Sequence, residues 1–180
     1  LILSANNLGA ETRIEYASST RFYLEDKKQG RPWATRLPFP VHVVSRVETI
    51  DHVGRCRFVT AYAYRHGHFD GVEREFHGFG MVEQTDTEEF AVLAESQSLQ
   101  DSNINKSSHV PPVVTRTWFH TGAYLGESRI SAAFAAEYYR EPGTAPQVLD
   151  DTVQPAGLTV EEERQACRTL RGRMLRREVY

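Results

Sequence analysis

The sequence predicts a mainly β protein built on one antiparallel, curved sheet, with one or two short helices. Three observations carry this prediction. Strand-type alternation recurs along the first 125 residues, most clearly in RFVTAYAYRH at 57–66. Turn chemistry separates these runs at hairpin spacing, above all Asp70-Gly71, because glycine reaches positive φ freely. Only one stretch, LTVEEERQACRTLRG at 158–172, combines helical patterning with capping residues.

Taken in order, TRIEYASSTRFYLED at 12–26 alternates with period two, Ile14 and Tyr16 sharing a face and Phe22 and Leu24 resuming it after a Ser-Ser break. GRPW at 30–33 interrupts, and LPFPVHVVSRVETID at 37–51 returns to strand, with Val41, Val43, Ser45 and Val47 on one face. Residues 57–66 and 72–83 are expected to pair across a turn at 68–71, with Val72, Arg74 and Phe76 facing one way and Glu73, Glu75 and His77 the other. Residues 83–110 are polar and read as an exposed connector, its centre at 95–110. PPVVTRTWFHTGAY at 111–124 is again strand, and ISAAFAAEYYREPG at 130–143 is at most a short helix ended by Pro142-Gly143. A helix over 159–171 follows, with Thr159 as N-cap, Glu162 completing a capping box and Gly172 just past its end. RMLRREVY at 173–180 reads as a last strand.

Length and composition bound the function. One segment of 180 residues is long enough to bury a core. With 21 basic against 24 acidic residues and a net charge of −3, no nucleic-acid partner is expected. No run of about 18 apolar residues exists to span a membrane. Cys56 and Cys167 stand far apart without a C-x-x-C partner, so two free thiols are favoured over one disulfide. The opening LILSANNLGAE has no methionine and no basic leader, and reads as the start of a segment of something longer.

The densest chemistry lies in YRHGHFDGVEREFHGFG at 64–80. His66, His68 and Asp70 alternate, and on an extended chain imidazoles and carboxylate would suit zinc. The corner expected at 68–71 would scatter them, so no metal is expected. Glu73 and Glu75 could form a carboxylate pair, but strand faces carry such pairs without catalysis. His120 is a lone base with no G-x-S-x-G nucleophile motif anywhere. Gly78 and Gly80 flank Phe79 with no helix pattern after them, which points to a bulge or close backbone approach and not to a phosphate cradle. Cys167 reads as a small buried hydrophobe of the helix. No catalytic, cofactor or metal residue is therefore assigned, and no enzyme is expected.

Four ordered motifs carry a family likeness. GRPWATRLPFPVHVVSRVETID, YRHGHFDGVEREFHGFGMVEQTD, PPVVTRTWFHTGAY and RTLRGRMLRREVY resemble the TcdB-like B component of bacterial Tc insecticidal toxin complexes. The resemblance is to its middle region, which adjoins the RHS/YD-repeat shell. His77 and Met81 depart from it, standing where arginines are expected. The resemblance implies a wall segment of a secreted toxin complex, in which the B and C components form a hollow β cocoon around the cytotoxic tail of C. The implied partners are the C component, the rest of B and, indirectly, the pore-forming A component. Two alternatives stand beside it. One is a carbohydrate- or protein-binding β module using Trp33, Trp118 and the tyrosines. The other is a hydrolase using Glu73, Glu75 and His120. The strands TRIEY and RMLRREVY are expected at the sheet edges.

Overall fold

In the computed structural model the described residues are 1–6, 8–54, 56–89, 111–126, 129–143, 148, 150–151 and 153–180. Seven strands, β1 (Ile2–Ala5), β2 (Ala10–Ser18), β3 (His42–Asp51), β4 (Cys56–Asp70), β5 (Glu75–Glu89), β6 (Val113–Phe119) and β7 (Met174–Val179), form one sheet. They pair in chain order, each antiparallel to the next. Register shifts in β2–β3, β4–β5 and β6–β7 mark bulges, which bend and twist a sheet locally. Helix α1 (Ser19–Lys28) lies between β2 and β3, while α2 (Ile130–Ala135) and α3 (Val160–Thr169) lie between β6 and β7.

The mainly β, antiparallel expectation holds, with four corrections. Residues 19–28 form α1, not a continuation of the strand. Their buried positions, Ser19, Phe22 and Asp26, follow helical spacing, and Leu24 is exposed. Ser18 caps the helix by accepting from Thr20 N–H, and Lys27 and Lys28 complement the dipole in its last turn. Second, β5 runs on through 83–89, where a loop was expected. Its polar side chains find cross-strand partners, Thr60 Oγ1 donating to Asp86 at 2.8 Å and Arg116 Nε to Glu83 at 2.6 Å. The centre of the expected loop, 95–110, lies outside the described residues. Third, the β4–β5 turn is at 71–74. Fourth, β1 pairs with β2, so the outer strands are β1 and β7, not TRIEY and β7.

The core is built where β5 and β6 meet α2. Met81 and Trp118 are cross-strand partners, and they pack with Ala123, Ile130, Phe134 and Tyr138. Gly80 admits this packing, since a Cβ there would stand 2.5 Å from Phe134 Cζ and 3.0 Å from His66 Cβ. Gly78 is the other glycine of the pair, at φ +91° beside the β4–β5 bulge. One glycine thus serves a close approach and the other a bulge, as the sequence indicated. The capping box of α3 also forms, Thr159 accepting from Glu162 N–H while the Glu162 carboxylate accepts from Thr159 N–H at 2.7 Å. The shorter α2 ends at Ala135, well before Pro142.

Candidate functional site

The stretch 64–80 holds two separate polar clusters. The first starts at His66, which sits within β4 at φ +56° and is 2% exposed. The segment after α1 crosses this point and is bonded to it. Ala34 N–H donates to His66 Nδ1 at 2.9 Å, Thr35 Oγ1 to Gly67 O at 3.0 Å, and Phe69 N–H to Arg36 O at 3.0 Å. With Nδ1 accepting, Nε2 carries the proton and donates to Glu137 Oε1 at 3.0 Å.

Arg65 continues the cluster. Its guanidinium bridges Asp26 of α1 at 3.0 Å and Glu137, just past α2, at 3.1 Å. Asp26 also accepts from Trp33 Nε1 at 2.9 Å and from Arg31 at 2.9 Å, and Glu137 accepts from Trp118 Nε1 at 3.2 Å. Arg65, Asp26 and Glu137 line a hollow of about 540 Å³ together with Met81, Arg116 and Trp118. Burial pushes the Glu137 carboxyl up, but His66, Arg65 and Trp118 together outweigh it and hold it below its ordinary value. Each of these charges is spent on a partner from another element. The arrangement clasps α1, β4 and the end of α2.

The second cluster occupies the hairpin end. Asp70 ends β4, and its Oδ1 accepts from Val72 N–H at 2.8 Å and Glu73 N–H at 3.2 Å, setting the turn. His77 is the extra residue of the β4–β5 bulge, since Gly78 stands opposite His68 and Phe76 opposite Phe69. The bulge brings the ring of His77 to 5.4 Å from that of His68. The trio from sequence, His66, His68 and Asp70, is thus divided. His66 is engaged with Glu137, while His77 joins the other two from the return strand. The strand and a bulge or close approach around Gly78 and Gly80 could be read from sequence, but not that His77 is the extra residue, and without that nothing points to His77.

The residues of the hydrolase alternative do not converge. Glu73 belongs to the turn and holds Arg168 of α3 at 2.8 Å, while Glu75 holds Arg171 at 2.9 Å. His120 lines a different hollow with Asp151, Gln154 and Cys167. There its Nδ1 accepts from Gly122 N–H at 3.0 Å, and burial pushes its imidazole down, with Asp151 opposing. Cys167 is a free, half-buried thiol lining the same hollow, less enclosed than a core hydrophobe. The two tryptophans make no exposed platform. Trp118 is 1% exposed, and Trp33 packs edge-on against Tyr23 and Phe79 while donating to Asp26.

These shifts set the pH dependence of stability. His120 has a lowered value, so the unfolded chain takes up a proton below about pH 6.5 that the folded chain refuses. Its contribution is complete above that pH and is lost as pH falls through the folded value. Glu137, also lowered, contributes fully above about pH 4.5 and loses its contribution below. The melting temperature is therefore expected to be highest near neutrality, to decline below pH 6.5 and to fall more steeply below 4.5. A melting temperature constant from pH 7.5 to 4 contradicts both assignments.

The comparisons with known proteins agree with this fold. The family model for the insecticide toxin TcdB middle/N-terminal region matches residues 1–122, and the chain belongs to that family. No curated protein matches the chain. Among solved structures, the crystal structure of TcdB2–TccC3–TEV is similar over 99% of this chain at 30% identity, with a TM-score of 0.78. The crystal structure of TcdB2–TccC3 is similar over 99% at 29% identity, TM-score 0.76. The Photorhabdus luminescens Tc holotoxin pore carrying TccC3-D651A is similar over 99% at 30% identity, TM-score 0.74. In each case the matched region is 8% of the larger chain. Among the described residues no helix is long and apolar enough to cross a membrane.

Proposed function

We propose that this chain is a non-enzymatic wall segment of the B component of a secreted Tc toxin complex, helping to form the β shell that encloses the cytotoxic tail of a C component. The observation that carries the reading is the two-edged sheet. Both of its outer strands leave large apolar side chains uncovered. Every residue of β1 is exposed, Ile2 at 51% and Leu3 at 59%, and β7 exposes Met174 and Val179. Outer strands of this kind offer unpaired backbone groups to neighbouring strands. In the proposed setting, adjoining B-component sheet covers β1 and β7. A TccC-type protein completes the shell, and the pore-forming A component is reached only through other parts of B. The likeness to TcdB2 in complexes with TccC3 supports this setting. The polar clusters support a non-enzymatic role, because their charges bind elements of the fold to one another.

Sedimentation and thermal melting of the 180-residue chain across a concentration series test the proposal. Self-association, or a low melting temperature that rises with concentration, is expected. A monomer with a high, concentration-independent melting temperature would overturn the shell reading and favour an autonomous binding module.

A further inference from the structure

The hairpin end carries a set of donor atoms that the clasp and the turn leave unused. His77 is 7% exposed, and its Nδ1 lies 3.1 Å from the carbonyl oxygen of Thr121. A carbonyl only accepts, so Nδ1 holds the ring proton and Nε2 presents a lone pair. That Nε2 is buried and makes no hydrogen bond. Outside the trio, Glu75 Oε2 lies 3.6 Å away, and Arg171 already holds that group at 2.9 Å. Neither ring nitrogen of His68 has a hydrogen bond among the described residues. Asp70 spends Oδ1 on the turn amides, and Oδ2 has no hydrogen bond among the described residues. One donor atom from each of His68, Asp70 and His77 lies within 4.8 Å of the other two.

From this convergence we infer that His68, Asp70 and His77 form a binding site for a divalent transition-metal ion of the zinc class, holding the β4–β5 hairpin end together. Two imidazole nitrogens and one carboxylate oxygen are the donors such an ion takes, and water completes four-coordination. The ligands close from their present spacing to about 3.3 Å, the separation that metal–ligand bonds of about 2.0 Å impose in a tetrahedron. Two supports fix their orientation. The Thr121 carbonyl selects the tautomer of His77, and the Val72 and Glu73 amides hold the Asp70 carboxylate. The open side of the site is a hollow of about 210 Å³ lined by His68, Asp70, Gly122, Tyr124, Arg164 and Arg168. Arg164 approaches Asp70 Oδ1 at 3.8 Å, and its charge limits the affinity of the site. Unlike His66→Ala, loss of His77 is therefore expected to remove the ion.

The test measures bound zinc per chain by mass spectrometry in the full-length protein, unaltered and as His77→Arg, His68→Ala and Asp70→Asn. Visible spectra of the cobalt(II)-loaded forms accompany it. Arginine is the residue the family likeness expects at 77, so that variant is suited to folding, and asparagine at 70 keeps the Oδ1 acceptor of the turn. Loss of one zinc per chain in His77→Arg and His68→Ala is expected, together with loss of the four-coordinate cobalt bands. Asp70→Asn is expected to weaken zinc binding by about tenfold or more in chelator competition. Equal zinc content and unchanged cobalt spectra in folded His77→Arg and Asp70→Asn would overturn the assignment.

Discussion

Arg65→Ala is expected to destabilise the chain by about 3–5 kcal/mol, the cost of breaking a buried ion pair by removing one partner. The Arg65 side chain is 11% exposed and lies between Asp26 at 6% and Glu137 at 19%. Without it, two enclosed carboxylates keep their desolvation cost and lose a shared cation. Their remaining partners, Arg31 and Trp33 for Asp26 and His66 and Trp118 for Glu137, place the loss toward the lower end of that range. Arg65→Met should be nearly as harmful, because it restores apolar volume but not charge. The control is Arg21→Ala. Arg21 pairs with Glu25 at 3.0 Å on the exposed face of α1, where such a pair is worth about 0–1 kcal/mol. Urea unfolding followed by tryptophan fluorescence at one fixed concentration measures all three. Equal midpoint shifts for Arg65→Ala and Arg21→Ala would remove the clasp from the account.

The second large effect is at the contact between Gly80 and Phe134. Phe134 is 0% exposed, and Phe134→Ala is expected to cost about 3–5 kcal/mol through lost burial and the cavity left behind. Gly80→Ala works in the opposite sense. Its new methyl would lie 2.5 Å from the Phe134 ring, and overpacking of this kind costs about 1–3 kcal/mol. The two changes touch the same space, so they should not add. In a Phe134→Leu background the methyl meets a smaller side chain, and Gly80→Ala should then cost much less than it does alone. A double-mutant cycle in urea reads that coupling. Additive losses would show that Gly80 is required for its backbone and not for the approach of α2.

What the sequence disclosed follows from which signals are local. Strand alternation at 57–66, the capping box at 159–162 and the glycines at 78 and 80 each declare themselves within a few residues, and each is found in the fold. The misreadings arise where tertiary partners decide. In α1 the spacing of Phe22 and Leu24, one buried and one exposed, made a helix look like an alternating strand, while the Ser18 cap and the charged run after it carried the better signal. The polar residues 83–89 looked like loop because their cross-strand partners, Arg116 and Thr60, lie far away in sequence. The Asp70-Gly71 turn was placed slightly early, since Asp70 stays in β4 and uses its carboxylate to shape the residues that follow. His77 was the least visible, because one bulged residue changes which side chains meet.

The central claim is that β1 and β7 are interior seams of a larger shell. Backbone hydrogen exchange reads this directly, because only paired and covered amides are protected. The measurement compares residues 2–5 and 174–179 in the full-length protein co-assembled with its C component and in the 180-residue chain alone. Slow exchange along both strands in the assembly, and fast exchange at their outward-facing amides in the chain alone, is the predicted result. Equally fast exchange along both outer strands in the assembly would contradict the shell reading.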